Sequence, residues 1–176
     1  MYTLELTDNY ILIYNHKTKK ILKEDLQTNI IVNNKIYDFI KLNRKIMEII
    51  NKYNLLNSFF KTKFNILVYE KLTPTEAYLL KNIFKTISNI NVNLIHVNNL
   101  FDNNHLYISG NVLYYNDKRV DKLSKKEYKL VGYNSNYFNL KEKITNKYNI
   151  KILSYENSNT LIFDKVICLL LIILIV

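Results

Sequence analysis

Residues 2 to 14 alternate between apolar and polar side chains, which is typical of strands with one buried face. Two apolar runs, Tyr2–Leu6 and Tyr10–Asn15, flank the polar turn LTDNY. A later stretch, TNIIVNNKIYDFIKL, places Asn33 and Asn34 between apolar runs, and asparagine tolerates the positive φ of tight turns. The pattern therefore predicts two successive hairpins at the start of the chain.

A helical period follows in NRKIMEIINKYNLL, where Ile46, Ile49, Ile50 and Tyr53 fall on one face. Asn43 stands before this apolar stripe and is a suitable N-cap residue. The pattern predicts a short amphipathic helix that begins at Asn43.

The clearest pattern is FNILVYEKLTPTEAYLLKNIFKTISNINVNLIHV. It contains a buried strand, 64–69, followed by a helix start in which Thr73 caps, Pro74 fits the first turn and Glu76 completes a capping box. VNLIHV then forms a second strand. Such a strand-helix-strand unit predicts an α/β fold with a parallel strand pair and a right-handed crossover.

The second half of the chain predicts a hairpin in HLYISGNVLYYNDKRV and a helix leading into a strand in FNLKEKITNKYNIKI. No internal repeat or long linker is visible in the sequence. The polar segment NNLFDNNH, residues 98–105, is the expected boundary. We therefore expect a first subdomain at 1–100, a partial second one at 101–160 and an apolar tail at 161–176.

The chain carries 25 Lys and Arg against 15 Asp and Glu, a net charge of +10, which suggests nucleic acid or an anionic membrane surface as partner. Asn, Lys, Ile and Tyr dominate together, however, and an A+T-rich coding sequence favours these residues, so part of the charge is attributable to codon usage. The single cysteine, Cys168, excludes an internal disulfide and fits a reducing compartment. With no signal-peptide pattern at the N-terminus, we expect a cytoplasmic protein, peripheral on the inner membrane if its tail binds there.

The stretch LELTDNYILIY, residues 4 to 14, resembles the first hairpin of the MreB-type bacterial actins, the rod-shape-determining members of the actin-like ATPase fold. That hairpin is roughly Ile-Asp-Leu-Gly-Thr-Ala-Asn-Thr-Leu-Val-Tyr. The hydrophobic frame and the closing LIY match, while the family's Asp corresponds to Glu5, its phosphate-loop Gly to Thr7 and its Thr to Asp8. A phosphate turn needs glycine so that backbone N–H groups can close on the anion, whereas Thr7 blocks that approach and Asp8 repels a triphosphate.

The segment ILVYEKLTPTEAYLL is similar to the family's strand, turn and helix, with Thr73 and Glu76 at matching places. The Pro-Ser-Gly of the family is replaced by Tyr69, Glu70 and Lys71. The match is therefore to the hydrophobic frame, and the residues that carry the chemistry have changed.

Three further segments continue the resemblance to about residue 156. The family's Leu-Ile-Glu-Glu-Pro, whose acidic residue assists water attack, corresponds to LIHVNN, so that His96 or Val97 replaces the carboxylate. In the region of the second phosphate loop, near YISGNVLYY, only Gly110 remains, and ITNKYNIKI resembles the family's Lys-Tyr-Asn-Leu segment. The resemblance implies a partial actin-like, ribonuclease H-like fold, with a hairpin-led mixed sheet and flanking helices, that does not hydrolyse ATP and has no cofactor.

Other chemistries find little support in the sequence. Glu5 and Asp8 offer two carboxylates for a metal ion, but carboxylates beside a surface turn are usually solvated. His16, His96 and His105 lack metal-ligand spacing, and no zinc site is expected. With two glycines, the chain cannot form GxGxxG or a full Walker loop, and Ser109 lacks the flanking glycine of a nucleophile elbow.

Residues 117–151 hold ten Lys or Arg against four Asp or Glu, interleaved with aromatic residues. This pattern is able to contact phosphates and stack bases of single-stranded nucleic acid, and it is equally typical of a solvated basic face with tyrosines packed beneath it. The basic segment contains Tyr128 and Tyr148 as well as the candidate polyanion contacts, which are Lys125, Lys126, Lys129, Tyr133 and Tyr137.

The C-terminal segment VICLLLIILIV is apolar without a break. As a helix, its 11 residues would reach about 16 Å against roughly 30 Å of hydrocarbon core, so they cannot span a bilayer alone. A buried strand or helix and a shallow membrane-inserting tail both fit, and we favour the tail. The candidate membrane contacts are Leu169, Leu170, Leu171, Ile172, Ile173 and Leu174.

Together these observations predict a nucleotide-incompetent, actin-like structural or interaction protein, concerned with cell shape or the cytoskeleton, that binds a protein partner or itself. The alternative is a small basic nucleic-acid-binding protein that uses residues 117–151. A decayed gene product without retained activity is a third possibility.

Overall fold

The computed structural model shows a mixed α/β architecture built on two five-stranded sheets, in agreement with the predicted α/β class. It describes residues 1–56, 61–84, 87–101, 105–110, 112–120, 122–123, 127–132, 137–157 and 165–166, apart from the side chains of 137–141 and 155–157.

The described residues contain strands, helices and one short 3-10 helix. The strands are β1 (Tyr2–Leu6), β2 (Tyr10–Asn15), β3 (Lys20–Asp25), β4 (Ile31–Val32), β5 (Lys35–Ile36), β6 (Thr62–Val68), β7 (Ile90–His96), β8 (His105–Ser109), β9 (Val112–Tyr115), β10 (Lys118–Arg119), β11 (Glu127–Gly132) and β12 (Lys151–Asn157). The helices are α1 (Phe39–Lys52), α2 (Pro74–Asn82) and α3 (Tyr137–Tyr148), and the 3-10 helix is Val97–Leu100.

The first sheet has the strand order β3-β2-β1-β6-β7. Its first three strands form an antiparallel meander, and β6 and β7 then join β1 in parallel. The predicted strand-helix-strand unit is confirmed, because β6 and β7 are parallel and α2 lies between them in the chain. The opening hairpin therefore shares a sheet with this unit.

The second sheet has the order β10-β9-β8-β11-β12, which repeats the arrangement of the first. Here too an antiparallel meander is followed by two parallel strands, and α3 connects β11 to β12. The sequence shows no repeat because what recurs is the placement of apolar strands and turns rather than residue identities.

Helix α1 begins one turn earlier than predicted, since Asp38 and not Asn43 is its N-cap. The Asp38 carboxylate accepts a 2.9 Å hydrogen bond from the backbone N–H of Lys41 and satisfies an otherwise free donor of the first turn. The start of α2 agrees with the prediction, with Thr73 and Glu76 in a reciprocal capping box and Pro74 at the first helical position.

Two strands were not predicted from the sequence. Strand β3 alternates charged and apolar residues and pairs with β2 along its whole length. Strand β11 lies within the basic segment and is the central strand of the parallel half of the second sheet. Its Tyr128 is fully buried, so at this position the tyrosine packs into the core.

In the part of the chain that the structure describes, the buried apolar residues form three clusters. One lies between the first sheet and α1, and a second belongs to the second sheet. The third joins the two sheets, with Tyr14 and Leu67 from the first and Tyr107 and Val131 from the second. Fully buried Val166, at the start of the C-terminal apolar run, belongs to this joining cluster.

Candidate functional site at the junction of two turns

The turn between β1 and β2 is closed by the side chain of Thr7. The Thr7 hydroxyl donates to the carbonyl oxygen of Tyr10 at 2.8 Å and accepts from the backbone N–H of Tyr10 at 3.1 Å. The backbone N–H of Thr7 donates to the same carbonyl at 3.0 Å. Thr7 is fully buried, so this N–H and hydroxyl are already engaged within the turn.

Thr7 faces Gly110, which lies in the turn between β8 and β9 of the other sheet. Gly110 has a φ of +58°, a left-handed conformation that L side chains rarely adopt. A Cβ built on Gly110 would lie 3.2 Å from Cβ of Thr7 and 3.7 Å from its hydroxyl oxygen. The two turns are therefore in van der Waals contact, and glycine meets both the steric and the conformational requirement at this position.

Asp8 is bound by the hairpin turn between β4 and β5. Its carboxylate accepts hydrogen bonds from the backbone N–H groups of Asn33 and Asn34, the first at 2.8 Å. Both asparagines have positive φ, as predicted for these turn residues. Asp8 thus fixes the position of this second hairpin against the first.

Asn34 connects the two sheets directly. Its side-chain amide donates to the carbonyl oxygen of Ser109 at 3.0 Å and to the hydroxyl of Tyr114 at 2.7 Å. Burial raises the pKa of Tyr114 to about 12, so its hydroxyl stays neutral over the physiological range. Hydrogen bonds thus run from Asp8 through Asn34 to Tyr114 and connect the two sheets at the place where their turns meet, which we call the junction.

Glu5 lies beneath the two turns and is 2% exposed, so the expectation that this carboxylate is solvated is wrong. Burial raises the pKa of Glu5 to about 7, and the neighbouring hydroxyls of Ser109 and Tyr69 oppose this shift. The pKa of Tyr69 is raised well above its ordinary value by burial and by the nearby Glu5.

In the part of the chain that the structure describes, no cluster of three or more His, Cys, Asp or Glu side chains is placed to hold a metal ion.

A second set of contacts joins the segment after β6 to β10 and to the turn that precedes β10. Nε of Arg119 donates to the carboxylate of Glu70 at 2.7 Å, and both side chains are about three-quarters shielded from solvent. The backbone N–H of Lys71 donates to the carbonyl oxygen of Asp117 at 3.1 Å. Glu70 and Lys71 therefore contact the second sheet.

The junction as a whole is a closed polar contact between two sheets. The hydroxyl of Thr7, the carboxylate of Asp8 and the amide N–H₂ of Asn34 are each engaged with protein groups. Such an arrangement is able to hold two halves of a protein together, and it is not preorganised to receive an anion.

Of the candidate polyanion contacts, the structure describes Lys129 and the backbone of Tyr137. Lys129 lies half-buried in the central strand β11, and Tyr137 begins α3. Lys125, Lys126 and Tyr133 lie outside the described residues. Tyr148 of the same segment donates its hydroxyl to the carbonyl oxygen of Val120 at 3.1 Å, which is a packing role.

The candidate membrane contacts, 169–174, also lie outside the described residues. Just before them, Lys165 places its ammonium 4.1 Å from the ring centroid of Phe101, and Val166 is buried in the cluster that joins the sheets. None of the helices in the described part of the chain is both long enough and apolar enough to cross a bilayer.

Sequence reasoning missed Asn34, Tyr114 and Arg119 as junction residues. Asn34 was recognised only as a turn residue, and its 80-residue separation from Tyr114 leaves no local signal of the contact.

Comparisons with protein-family models, with curated proteins and with solved structures found no match for this chain.

Proposed function

We propose that the chain is a nucleotide-incompetent relative of the MreB-type bacterial actins that acts as a structural or interaction protein. In this proposal it works by protein contact at the inner face of a membrane, in cell shape or filament assembly. It performs no ATP hydrolysis.

The strand order supports the fold part of this proposal. An actin-like arrangement requires the opening hairpin to lie in the same sheet as the strand that precedes the capped helix, and β1, β2 and β6 are in one sheet. The second sheet repeats the order of the first, with its own turn, at Gly110, in the position equivalent to that of Thr7.

The contact between Thr7 and Gly110 carries the proposal. The resemblance assigns these two turns to phosphate binding, which requires a gap bordered by free backbone N–H groups. The turns instead approach so closely that a Cβ added to Gly110 would lie 3.2 Å from Cβ of Thr7. A phosphate would fit between the turns only if they separated, and the hydrogen bonds from Asn34 to Ser109 and Tyr114 oppose that separation.

Exposed apolar side chains support a role in protein contact. Tyr37, Ile40 and Tyr78 are 80%, 71% and 60% exposed. They lie on elements that are linked to one another, because Lys35 pairs with Glu76 and the Asn43 amide donates to the carbonyl oxygen of Ile83. A pocket of about 190 Å³ lies between β5, α2 and the end of β6, and its largely apolar lining includes Ile36, Leu79 and Leu80. Apolar surface of this kind is typical of interaction sites.

The test is Mg-ATP turnover and binding, measured by phosphate release and by calorimetry. We expect no hydrolysis above buffer and no binding that depends on adenosine, so that ATP and tripolyphosphate behave alike. A Thr7→Arg variant adds bulk and charge at the junction and serves as the matched probe. Micromolar ATP binding that Thr7→Arg abolishes contradicts the proposal, because it requires an open junction.

A further inference from the structure

A second pocket lies at the opposite end of the first sheet from the Thr7 turn. It has a volume of about 560 Å³, within the roughly 300–1,000 Å³ of typical ligand sites. Its wall is formed where β1 and β6 begin and β2 ends, and the register places Tyr2 opposite both Asn15 and Phe64. Tyr2, Leu55 and Leu56 supply apolar lining.

Three lysines line this pocket, and we call it the lysine pocket. Lys17 follows β2, Lys61 precedes β6 and Lys63 lies within β6. Among the described residues that line it, none is acidic. All three lysines are exposed, and Lys63 alternates with the buried neighbours Thr62 and Phe64, because successive side chains of a strand point to opposite faces.

Several other lysines of the described residues have carboxylate partners. Lys35 pairs with Glu76, Lys41 with Asp38, and Lys45 and Lys52 both pair with Glu24. Lys17, Lys61 and Lys63 form no ion pair with a carboxylate among the residues that the structure describes. Bringing three ammonium groups to one pocket costs Coulomb energy, which a bound anion offsets.

Polar neutral groups complete the pocket. Asn15 and Asn54 carry amides and Thr62 a hydroxyl, and all three line it. Ammonium groups together with amide and hydroxyl donors are the chemistry that binds phosphate oxygens. The apolar lining from Tyr2, Leu55 and Leu56 is able to contact a carbon portion of the same ligand.

We propose that the lysine pocket binds the phosphate groups of an anionic ligand. The chemistry is shared by two sources, a soluble polyphosphate anion and the headgroup of an anionic phospholipid. The site is separate from the junction of the turns and from the basic segment 117–151, so it goes beyond the proposed function. Its failure would leave that proposal standing.

The experiment uses the full chain and two probes, tripolyphosphate and vesicles containing phosphatidylglycerol. Binding of tripolyphosphate is followed by calorimetry and by amide chemical shifts, which we expect to change most at Lys17, Thr62 and Lys63. A variant with Lys17→Gln, Lys61→Gln and Lys63→Gln is expected to bind at least about ten-fold more weakly. Vesicle flotation of the same variant shows whether lipid headgroups use the site.

The matched control removes three charges elsewhere, with Lys41→Gln, Lys71→Gln and Lys81→Gln. These lysines are exposed and lie outside both the lysine pocket and the basic segment 117–151. We expect the control to lower affinity by less than about three-fold, since long-range charge is screened at physiological salt. An equal loss in both triple variants, or no binding of either probe, overturns the proposal.

The two probes separate the sources of the phosphate. Flotation that the pocket variant loses and the control keeps identifies the lipid headgroup, whereas tripolyphosphate binding without flotation identifies a soluble anion. Because ATP also carries a triphosphate, binding of ATP that survives Thr7→Arg and disappears in the pocket variant belongs to the lysine pocket and not to the junction.

Discussion

The Asn34 amide and the Tyr114 hydroxyl, 80 residues apart in the chain, form a 2.7 Å hydrogen bond that links the two sheets. Tyr114 is 1% exposed and its ring stacks on Tyr69 at a centroid distance of 5.3 Å. Tyr114 therefore takes part both in the hydrogen bonding between the two sheets and in the apolar cluster that joins them.

Replacing Tyr114 with Phe removes the hydroxyl and keeps the ring. We expect a loss of about 1 kcal/mol in the free energy of unfolding, because the Asn34 amide loses one partner and keeps its bond to Ser109. Tyr37→Phe is the control, since Tyr37 is 80% exposed, and its effect is expected within about 0.5 kcal/mol. Urea unfolding at constant pH measures both. If the two substitutions changed the free energy of unfolding equally, that would argue against the hydrogen bond between Asn34 and Tyr114.

Gly110→Ala tests the contact of the two turns. We expect a loss of about 1–2 kcal/mol, because the left-handed conformation at φ +58° disfavours a Cβ and because that Cβ meets Thr7. Asn116→Gly is the contrasting variant, since Asn116 has a φ of +49° that glycine adopts readily. It is expected to be neutral or stabilising. Urea denaturation of both variants gives the comparison, and an unchanged Gly110→Ala contradicts the turn contact.

The buried carboxyl of Glu5 predicts a pH-dependent stability near neutrality. Its pKa rises from an ordinary 4.5 to about 7 in the folded protein, so the folded state binds the proton more tightly than the unfolded state. The resulting stabilisation is fully present below pH 4.5 and is lost as the pH rises through 7. Urea unfolding between about pH 5 and 8, the range in which the folded-state carboxyl titrates, measures the slope.

Glu5→Gln removes the titration while keeping a similar shape. We expect the variant to have a flatter pH profile than the wild type and to be more stable than it at pH 8. Glu48→Gln, at an exposed position of α1, is the control and is expected to keep the wild-type slope. If both variants keep that slope, Glu5 is not the group that titrates.

Val166→Ala tests the burial of the first residue of the apolar run. We expect a loss of about 1–3 kcal/mol, since Val166 is fully buried in the joining cluster. Leu153→Ala is the control, because Leu153 is 53% exposed, and its cost is expected to be smaller. Thermal unfolding compares the two. A Val166 variant as stable as the wild type would mean that this end of the run is not part of the core.

Deleting residues 167–176 tests the membrane hypothesis separately, because it leaves Val166 in place. Vesicle flotation is expected to decrease in the truncated chain relative to the intact chain, since the candidate contacts at 169–174 are removed. If the truncated chain unfolds and the intact chain never floats, the run belongs to the core.

The sequence predicted those elements whose signals are local. The capping box of Thr73 and Glu76 and the turn at Asn33 and Asn34 were found because each is set by neighbouring residues. Strand β3 was missed because Lys19, at φ +59°, closes the turn before it, and lysine is not a residue that signals positive φ.

The candidate sites depend on contacts between distant residues and were harder to predict. Thr7 and Gly110 are in different sheets, and the segments that hold Lys17 and Lys61 are brought together only by the position of β6 beside β1. The lysine-rich segment 117–151 drew attention through composition, whereas in the structure its Tyr128 is core and its Lys129 lies in a central strand.

Strand β7 has a consequence for how the protein behaves at high concentration. Among the described residues it pairs on one side only, with β6, and its sequence INVNLIH contains no lysine, glutamate or proline. Charged or proline residues on an edge strand discourage a second chain from extending the sheet, and β7 lacks them. We expect pairing of a second chain with β7 to limit solubility. An Asn91→Lys substitution, at an exposed position of β7, is expected to raise the highest concentration at which the protein stays monomeric.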